Sequence, residues 1–175
     1  MCLIKASKKV AKDNLVCYKI MIASIKNSKD NTERPGDDFT NCTFHTPFQY
    51  KEVTHDIIEG KRLFLPGEQR AYGLYYDSDE DKFTINAGYI HSYKNLDIAI
   101  KESADLVVYT SYRGEYPEKY VCIFECCIDK GTDYMEGKVA IHNKDFFENS
   151  NKLPDGYASK QLRFVKMVKT VQYHV

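Results

Sequence analysis

The most regular pattern of apolar and polar residues lies between residues 95 and 107 and predicts one amphipathic helix. Apolar and small side chains recur there every three or four residues, at Leu96, Ala99, Ile100, Ser103 and Val107. This spacing gathers side chains on one face of a helix. Asn95 is a residue type that caps helix N-termini, and Asp97 places a carboxylate in the first turn, where the helix dipole favours it. The pattern predicts a helix from Asn95 to Val107.

The rest of the pattern is typical of strands. Apolar and β-branched runs over residues 15–22 and 119–129 predict two largely buried strands, and the first is apolar on both faces except at Lys19. The second run ends in a turn at Asp129-Lys130-Gly131. Residues 157–173 alternate apolar and basic residues and predict a half-exposed strand, with lysines suited to a sheet edge. Shorter strands are predicted around residues 48–53, 61–65 and 73–76, and one short aromatic strand is predicted in the segment 82–93.

Together these elements predict an α+β fold. A single domain over residues 1–175 is expected, because a chain of this length can bury about two-thirds of its unfolded surface. Its sheet is expected to be mostly antiparallel, with the helix packed on the strand at 119–129. Residues 1–13 are expected to fray at the N-terminus. The polar segment 27–41, which contains Pro35-Gly36, predicts an exposed loop.

Composition narrows the class of function. Lys plus Arg equals Asp plus Glu at 25 each, so no positive field favours nucleic acid. No apolar run has the length of a secretion signal or a membrane span, so a cytoplasmic protein without membrane contact is expected. In that compartment the six cysteines are expected to be thiols.

Three groups of residues have partial metal-ligand patterns. Asp77, Asp79 and Asp81 have the spacing that opens a calcium loop, but its glycine and final glutamate are missing. Three cysteines, Cys122, Cys126 and Cys127, lie on a predicted strand, where four residues span about 13 Å. That distance is too long for one zinc ion, so buried thiols are the preferred interpretation. Cys42, His45 and His55 form an incomplete set. No metal site is predicted.

Two groups of residues are candidates for catalysis. Removal of Met1 would give Cys2 a free α-amine that could activate its thiol, as in N-terminal-nucleophile amidohydrolases. The following Leu3-Ile4-Lys5 lacks the small-residue turn of those enzymes. The second group is His91, Ser92 and Tyr93, on a strand that ends just before the helix. His91 and Tyr93 share one face there and Ser92 points to the other, at a position where clefts form between elements.

A series of short motifs gives the chain a family resemblance. The motifs are Met1-Cys2-Leu3-Ile4, Val16-Cys17-Tyr18-Lys19, Gly88-Tyr89-Ile90-His91-Ser92-Tyr93, Ile128-Asp129-Lys130-Gly131-Thr132-Asp133-Tyr134 and Tyr157-Ala158-Ser159. Their order resembles a family of small uncharacterised proteins of phages and gut bacteria. The resemblance covers nearly the whole chain. It implies a phage-linked setting and no known activity.

Part of the chain also resembles an ADP-ribosyltransferase core. The resemblance rests on Gly88-Tyr89 with Ser92, the helix with Ala99, and the apolar strand and turn before Tyr134. It implies that Tyr18 and Lys19 occupy the first-strand position and that Tyr89, Ser92 and Tyr93 contact a nucleotide, with NAD as cofactor. The chain lacks the His-Gly-Thr, Arg and late-strand Glu of those enzymes, and Glu125 and Glu136 are the carboxylates nearby in sequence.

These patterns favour a binding protein over an enzyme, because no complete catalytic set is found. The hypothesis is a small intracellular binding module, phage-encoded, that acts on a host protein or a nucleotide-like ligand and needs no cofactor. The loop with Tyr112, Arg113 and Tyr116 is the predicted partner surface, since Tyr and Arg are enriched at binding hot spots. The alternatives are a nucleotide-using, ADP-ribosyltransferase-like enzyme and the amidohydrolase centred on Cys2.

Overall fold

A computed structural model describes residues 2–25, 39, 42–45, 62–64, 75–77, 82–85, 90–111, 118–140 and 152–174. These ranges contain eleven strands and one α-helix. The elements are β1 (Cys2–Val10), β2 (Leu15–Ile25), β3 (Cys42–His45), β4 (Arg62–Phe64), β5 (Tyr75–Asp77), β6 (Lys82–Ile85), β7 (Ile90–Tyr93), α1 (Leu96–Ser111), β8 (Glu118–Ile128), β9 (Asp133–Ala140), β10 (Asp155–Ser159) and β11 (Gln161–His174). No helix in these ranges has the length and apolar character needed to cross a membrane.

The described strands form one antiparallel sheet. Its order is β4-β11-β8-β2-β7-β10-β9-β1-β6-β5, and β3 pairs with the far end of β2 on the edge that β2 also shares with β7. Every strand pair in the described ranges is antiparallel. The predicted α+β class with a mostly antiparallel sheet is therefore confirmed. The strand predicted over residues 15–22 is β2, which lies inside the sheet between β8 and β7.

Two short connections curl the sheet. Residues 11–14 join β1 to β2, and residues 129–132 join β8 to β9. Each links strands four places apart, which a flat sheet would separate by about 19 Å. The two connections are hydrogen-bonded to each other, by Gly131 N to Ala11 O at 2.8 Å and Ala11 N to Thr132 O at 3.0 Å. A four-residue connection that turns spans less distance than an extended chain of the same length. The sheet must therefore bend to bring these strand ends together.

The helix α1 packs on one face of the sheet, against β2, β7, β8 and β11. Asn95 caps it, since its Oδ1 accepts hydrogen bonds from the amides of Asp97 at 2.8 Å and Ile98 at 3.4 Å. Ala99 and Ser103, two positions of the predicted apolar face, are fully buried. The predicted cap and packing are confirmed, and the helix continues past Val107 to Ser111.

Buried side chains form a separate cluster on each face of the sheet. The cluster beneath α1 contains Leu3, Ile20, Tyr93, Ala99, Val121, Ile123, Val139 and Ala158. The cluster on the opposite face is richer in sulfur and aromatic rings, with Cys17, Met21, Cys122, Phe124, Cys126 and Phe164 among its members. Phe124 has an edge-to-face ring contact with both Phe44 and Phe164, at centroid distances of 5.2 and 5.3 Å. Both faces of the central strands are therefore packed.

Three sequence predictions need correction. Residues 2–10, expected to fray, form β1, which pairs with β9 on one edge and β6 on the other. The segment 82–93 contains two strands, β6 and β7, with different partners. The segment 157–173 is also two strands, because the chain bends at Lys160 and enters a different part of the sheet. Of the loop predicted at 27–41, the described ranges include Phe39 alone, and the strand predicted at 48–53 lies outside them.

Gly156 lies at a point of very close approach between strands. It pairs with Tyr93 of β7 and Gly137 of β9. A β-carbon added to Gly156 would lie 2.3 Å from Val139 Cγ2 and 2.6 Å from the carbonyl oxygen of Ser92. The second atom is backbone and cannot rotate away. A glycine is therefore needed for β10 to fit between β7 and β9.

We predict that Gly156→Ala lowers the free energy of unfolding by about 2 kcal/mol or more, because the added methyl forces backbone movement in a packed sheet. Urea unfolding followed by circular dichroism measures the change. Lys160→Ala, at the exposed bend after β10, is the control and should change stability by less than about 0.5 kcal/mol. Equal stability of Gly156→Ala and the parent protein would contradict the close approach.

A second prediction concerns the helix cap. Asn95→Ala removes the acceptor of two amide hydrogen bonds and should lower the free energy of unfolding by about 1 kcal/mol. Asn95→Ser is the matched control, since a serine hydroxyl can accept the same hydrogen bonds. Denaturant midpoints of the three proteins decide the outcome, and a loss of stability as large in Asn95→Ser as in Asn95→Ala would argue against capping.

Candidate functional site

A row of polar side chains crosses the sheet face opposite α1. Strand register places Glu136 of β9 opposite Tyr157 of β10, and Tyr157 opposite Ser92 of β7. Tyr18 pairs with Tyr93, so the next residue, Lys19 of β2, is level with Ser92. Side chains level with one another across a sheet point to the same face. We call Glu136, Tyr157, Ser92 and Lys19 the polar row.

Lys19 forms the buried end of the polar row. Only 3% of the residue is exposed, and its Nζ donates a hydrogen bond of 2.9 Å to the carbonyl oxygen of His91. No carboxylate in the described ranges forms an ion pair with it. Burial lowers the pKa of the Lys19 amine from 10.5 to about 8, and the nearby Cys126 and Cys17 offset part of that effect. A buried, unpaired ammonium group is costly for the fold.

Ser92 is the neighbour of Lys19 in the row. The residue is 1% exposed, and its hydroxyl oxygen makes no hydrogen bond of ordinary geometry with the described part of the chain. Burial raises the pKa of the neighbouring Cys17 thiol to about 12, and the nearby Ser92 hydroxyl offsets part of that effect. The Ser92 hydroxyl and the Lys19 amine are therefore two buried polar groups that can form further hydrogen bonds.

The opposite end of the row is partly exposed and charged. The Glu136 carboxylate forms ion pairs with Lys9 of β1 and with Lys94, which follows β7. Burial acts to raise the pKa of Glu136, but the hydrogen bonds from the two lysines outweigh it, so the pKa lies below its ordinary value. Lys94 Nζ also lies 5.2 Å from the centre of the Tyr157 ring, within range of a cation–π interaction. The row and its immediate neighbours therefore contain three ammonium groups, those of Lys9, Lys19 and Lys94, and one carboxylate, that of Glu136.

Tyr157 joins the charged end to the buried end. Its ring meets that of Tyr134 edge to face at 5.4 Å, which fixes its orientation. Burial, followed by the negative charge of Glu136, raises the pKa of the Tyr157 hydroxyl. The phenol therefore stays protonated near neutral pH and can donate a hydrogen bond. A half-buried aromatic ring with a polar edge is suited to a planar ligand.

The structure divides the residues predicted from sequence between two faces. Lys19 and Ser92 lie together in the polar row. Tyr18 and Tyr93 pair on the helix-facing side, and Glu125, opposite Tyr18, also lies there, 3.8 Å from Lys166. His91 alternates with Ser92 and lies on the side of Tyr93. The sheet backbone separates the two groups, with Ser92 opposite His91 and Tyr93 as strand alternation predicts, and a site formed by these three residues stays a prediction.

The remaining predicted residues lie elsewhere. Cys2 begins β1, where its backbone pairs with Ala140 of β9. Tyr89, Tyr112, Arg113 and Tyr116 fall outside the described residues. In the ranges that the structure describes, no group of three or more His, Cys, Asp or Glu side chains is arranged to hold a metal ion. Cys17, Cys42, Cys122, Cys126 and Cys127 are buried and not in disulfides, which confirms the interpretation of Cys122, Cys126 and Cys127 as packed thiols.

Sequence reasoning missed two residues of the site, Lys94 and Tyr157, and it named Glu136 as a nearby carboxylate without placing it in a site. They come from separate segments, and only strand register brings them together with Ser92. The sequence does contain one signal for the site, at Lys19. This residue is a single lysine in the middle of the apolar run Leu15-Val16-Cys17-Tyr18-Lys19-Ile20-Met21-Ile22. A charge in an otherwise buried strand marks a position that hydrophobic packing alone does not explain.

The fold and site together define an antiparallel α+β protein with a polar row on one face of its sheet. No family model matches the chain, and neither the curated proteins nor the solved structures contain a match to it. The function must therefore be argued from the site.

A third prediction tests the burial of Lys19 through pH. Below about pH 8 the amine is protonated in both the folded and unfolded states, so the full cost of burying the charge is present. Between about pH 8 and 10.5 the folded state loses the proton first, and that cost disappears. Relative to Lys19→Met, the parent protein should therefore gain up to about 3 kcal/mol of stability across this window.

Urea unfolding of both proteins from pH 7 to 10.5 measures this difference. Lys12→Met is the matched control, because Lys12 is exposed in the connection between β1 and β2. Its stability difference from the parent protein should change little with pH. A Lys19→Met curve that runs parallel to that of the parent would show that the amine is not buried as a charge.

Proposed function

We propose that this protein binds a small anionic, nucleotide-like ligand on the polar row. The observation that carries the proposal is the buried Lys19 amine, which has no carboxylate partner in the described ranges. A buried cation destabilises a fold unless an anion neutralises it. A group kept at such a cost in the middle of an apolar strand is a candidate for function.

The charge balance of the row favours an anion as the ligand. Lys9 and Lys94 share one carboxylate, Glu136, and Lys19 adds a third positive charge. The row together with Lys9 and Lys94 thus carries two positive charges in excess of its one negative charge when all three amines are protonated. A phosphate group would neutralise this excess, and its oxygens would accept hydrogen bonds from the amines and from the Ser92 hydroxyl.

The aromatic component favours a ligand that also has a planar ring. Tyr157 is half-buried, and its ring lies between the charged end of the row and Ser92. Nucleobases stack on such rings with a contribution of about 1–3 kcal/mol per base in single-stranded complexes. A phosphate near the lysines and a base against Tyr157 describe a nucleotide. The exposed end at Lys9 and Lys94 is where the ligand would enter, and Lys19 would be reached last.

We propose that the ligand is bound and that no reaction is catalysed on it. The thiols beside Lys19 are poor nucleophiles, because burial raises the pKa of Cys17 to about 12 and that of Cys126 well above its ordinary value. The two enzyme hypotheses, ADP-ribosyl transfer and the Cys2 amidohydrolase, gain no support from this row. Action on a host protein in a phage-linked setting stays a prediction from sequence.

The fourth prediction tests binding by thermal shift. ATP, NAD, ADP-ribose and a cyclic dinucleotide are each added to the purified protein. A ligand at one hundred times its dissociation constant should stabilise the fold by about 2.7 kcal/mol, which raises the unfolding temperature by roughly 5–10 °C in a domain of this size. At least one compound of the panel should produce such a shift. Inorganic phosphate alone should give a smaller one.

Substitutions locate the binding site. Ser92→Ala and Lys94→Met should each reduce the shift, because the first removes a hydrogen-bond donor of the polar row and the second removes the positive charge beside its Glu136 end. Lys12→Met removes an exposed lysine outside the row and should leave the shift unchanged. Absence of a shift with every compound, or a shift of full size in both row variants, would end the proposal.

A further inference from the structure

Two buried cysteines face each other across the central strands. Cys17 of β2 and Cys126 of β8 are directly paired in the antiparallel ladder. Neither has any solvent exposure, and both belong to the cluster on the face away from α1. Both are thiols in this structure. The pair lies beside the buried end of the polar row, because Lys19 follows Cys17 by two residues on the same strand face.

The register makes this pair distinct from the other described cysteines. Cys2 is opposite Ala140, Cys42 is opposite Ile25, Cys122 is opposite Met21, and Cys127 is opposite Val16. Directly opposed residues in an antiparallel pair have Cα atoms about 4.5–5.5 Å apart. A disulfide needs about 4.4–6.8 Å. Among the described cysteines, Cys17 and Cys126 are thus the two that strand register places within bonding range.

We propose that Cys17 and Cys126 form a reversible redox pair that closes into a cross-strand disulfide. The oxidant is a low-molecular-weight disulfide of the glutathione class. One cysteine, as thiolate, attacks that disulfide and releases one small thiol, and the second cysteine then displaces the other. The protein pair loses two protons and two electrons, its S–S bond forms, and the S–S bond of the oxidant is reduced to two thiols.

The surroundings of the pair determine its rate of reaction. Burial raises the pKa of both thiols, so the attacking thiolate is scarce in the folded protein. The Lys19 charge lowers both pKa values in part. Exchange is therefore slow in the native state and fast in opened or refolding chains. The disulfide would link β2 to β8 next to Lys19 and so alter the buried end of the polar row, a property separate from ligand binding itself.

The test refolds the protein from denaturant in buffers with a graded ratio of oxidised to reduced glutathione. Free thiols are then alkylated, and peptides are mapped by mass spectrometry without reduction. We expect a peptide pair linked through Cys17 and Cys126, with Cys2, Cys42, Cys122 and Cys127 alkylated. Refolding removes the kinetic barrier of burial, so the result reports whether the folded geometry accepts the bond.

Thermal unfolding gives a second readout. The oxidised protein should unfold several degrees higher than the reduced one, because the cross-link spans more than a hundred residues of the unfolded chain. Cys17→Ala and Cys126→Ala should each abolish this difference, whereas Cys122→Ala and Cys127→Ala should keep it. Because the mapping uses the unsubstituted chain, a variant that fails to fold does not affect it. Mapping to any other cysteine pair, or no disulfide under oxidising conditions, would overturn the proposal.

Discussion

The arrangement of the whole sheet depends on the hydrogen-bonded contact between the connection of β1 to β2 and the connection of β8 to β9. Each connection is four residues long, so strands that are distant in the sheet must end close together. The contact makes β1 with β9 and β2 with β8 two halves of one bent ribbon. The short strands β7 and β10 fit between these halves. Arg163 holds β11 to the same corner through hydrogen bonds to Asp129 at 2.8 and 2.9 Å.

That arrangement explains why the polar row exists where it does. Its members come from β9, β10, β7 and β2, which are the four strands that span the bend. The row changes from exposed charges at the β9 side to a buried amine at β2, so electrostatic interactions strengthen along it as water is excluded. Under the proposed function, stability and ligand binding make opposite demands on Lys19. A methionine there would suit the apolar cluster, and the lysine suits an anionic ligand.

The sequence was sufficient for elements that depend on local pattern. The spacing of Ala99 and Ser103 and the cap at Asn95 located the helix, and the apolar run ending at Asp129 located β8. The sequence was insufficient where pairing with a distant strand decides the local structure. Residues 2–10 carry three lysines, so their local pattern is weak, and pairing with β9 and β6 makes them a strand. Lys19 was named through a family resemblance and Ser92 also from its position at a strand end, whereas Glu136 and Tyr157 joined them through a register that no local signal specifies.

The order of the strands has a consequence for synthesis. Cys17 pairs with Cys126, and β10 enters the gap between β7 and β9 through residues near position 157. A growing chain therefore exposes the edge of β2 that faces β8 until more than a hundred further residues are made. At about 5–20 residues per second this takes roughly 5 to 20 seconds. Unpaired apolar strands aggregate, so this protein should depend on chaperones during translation more than a helical protein of equal length.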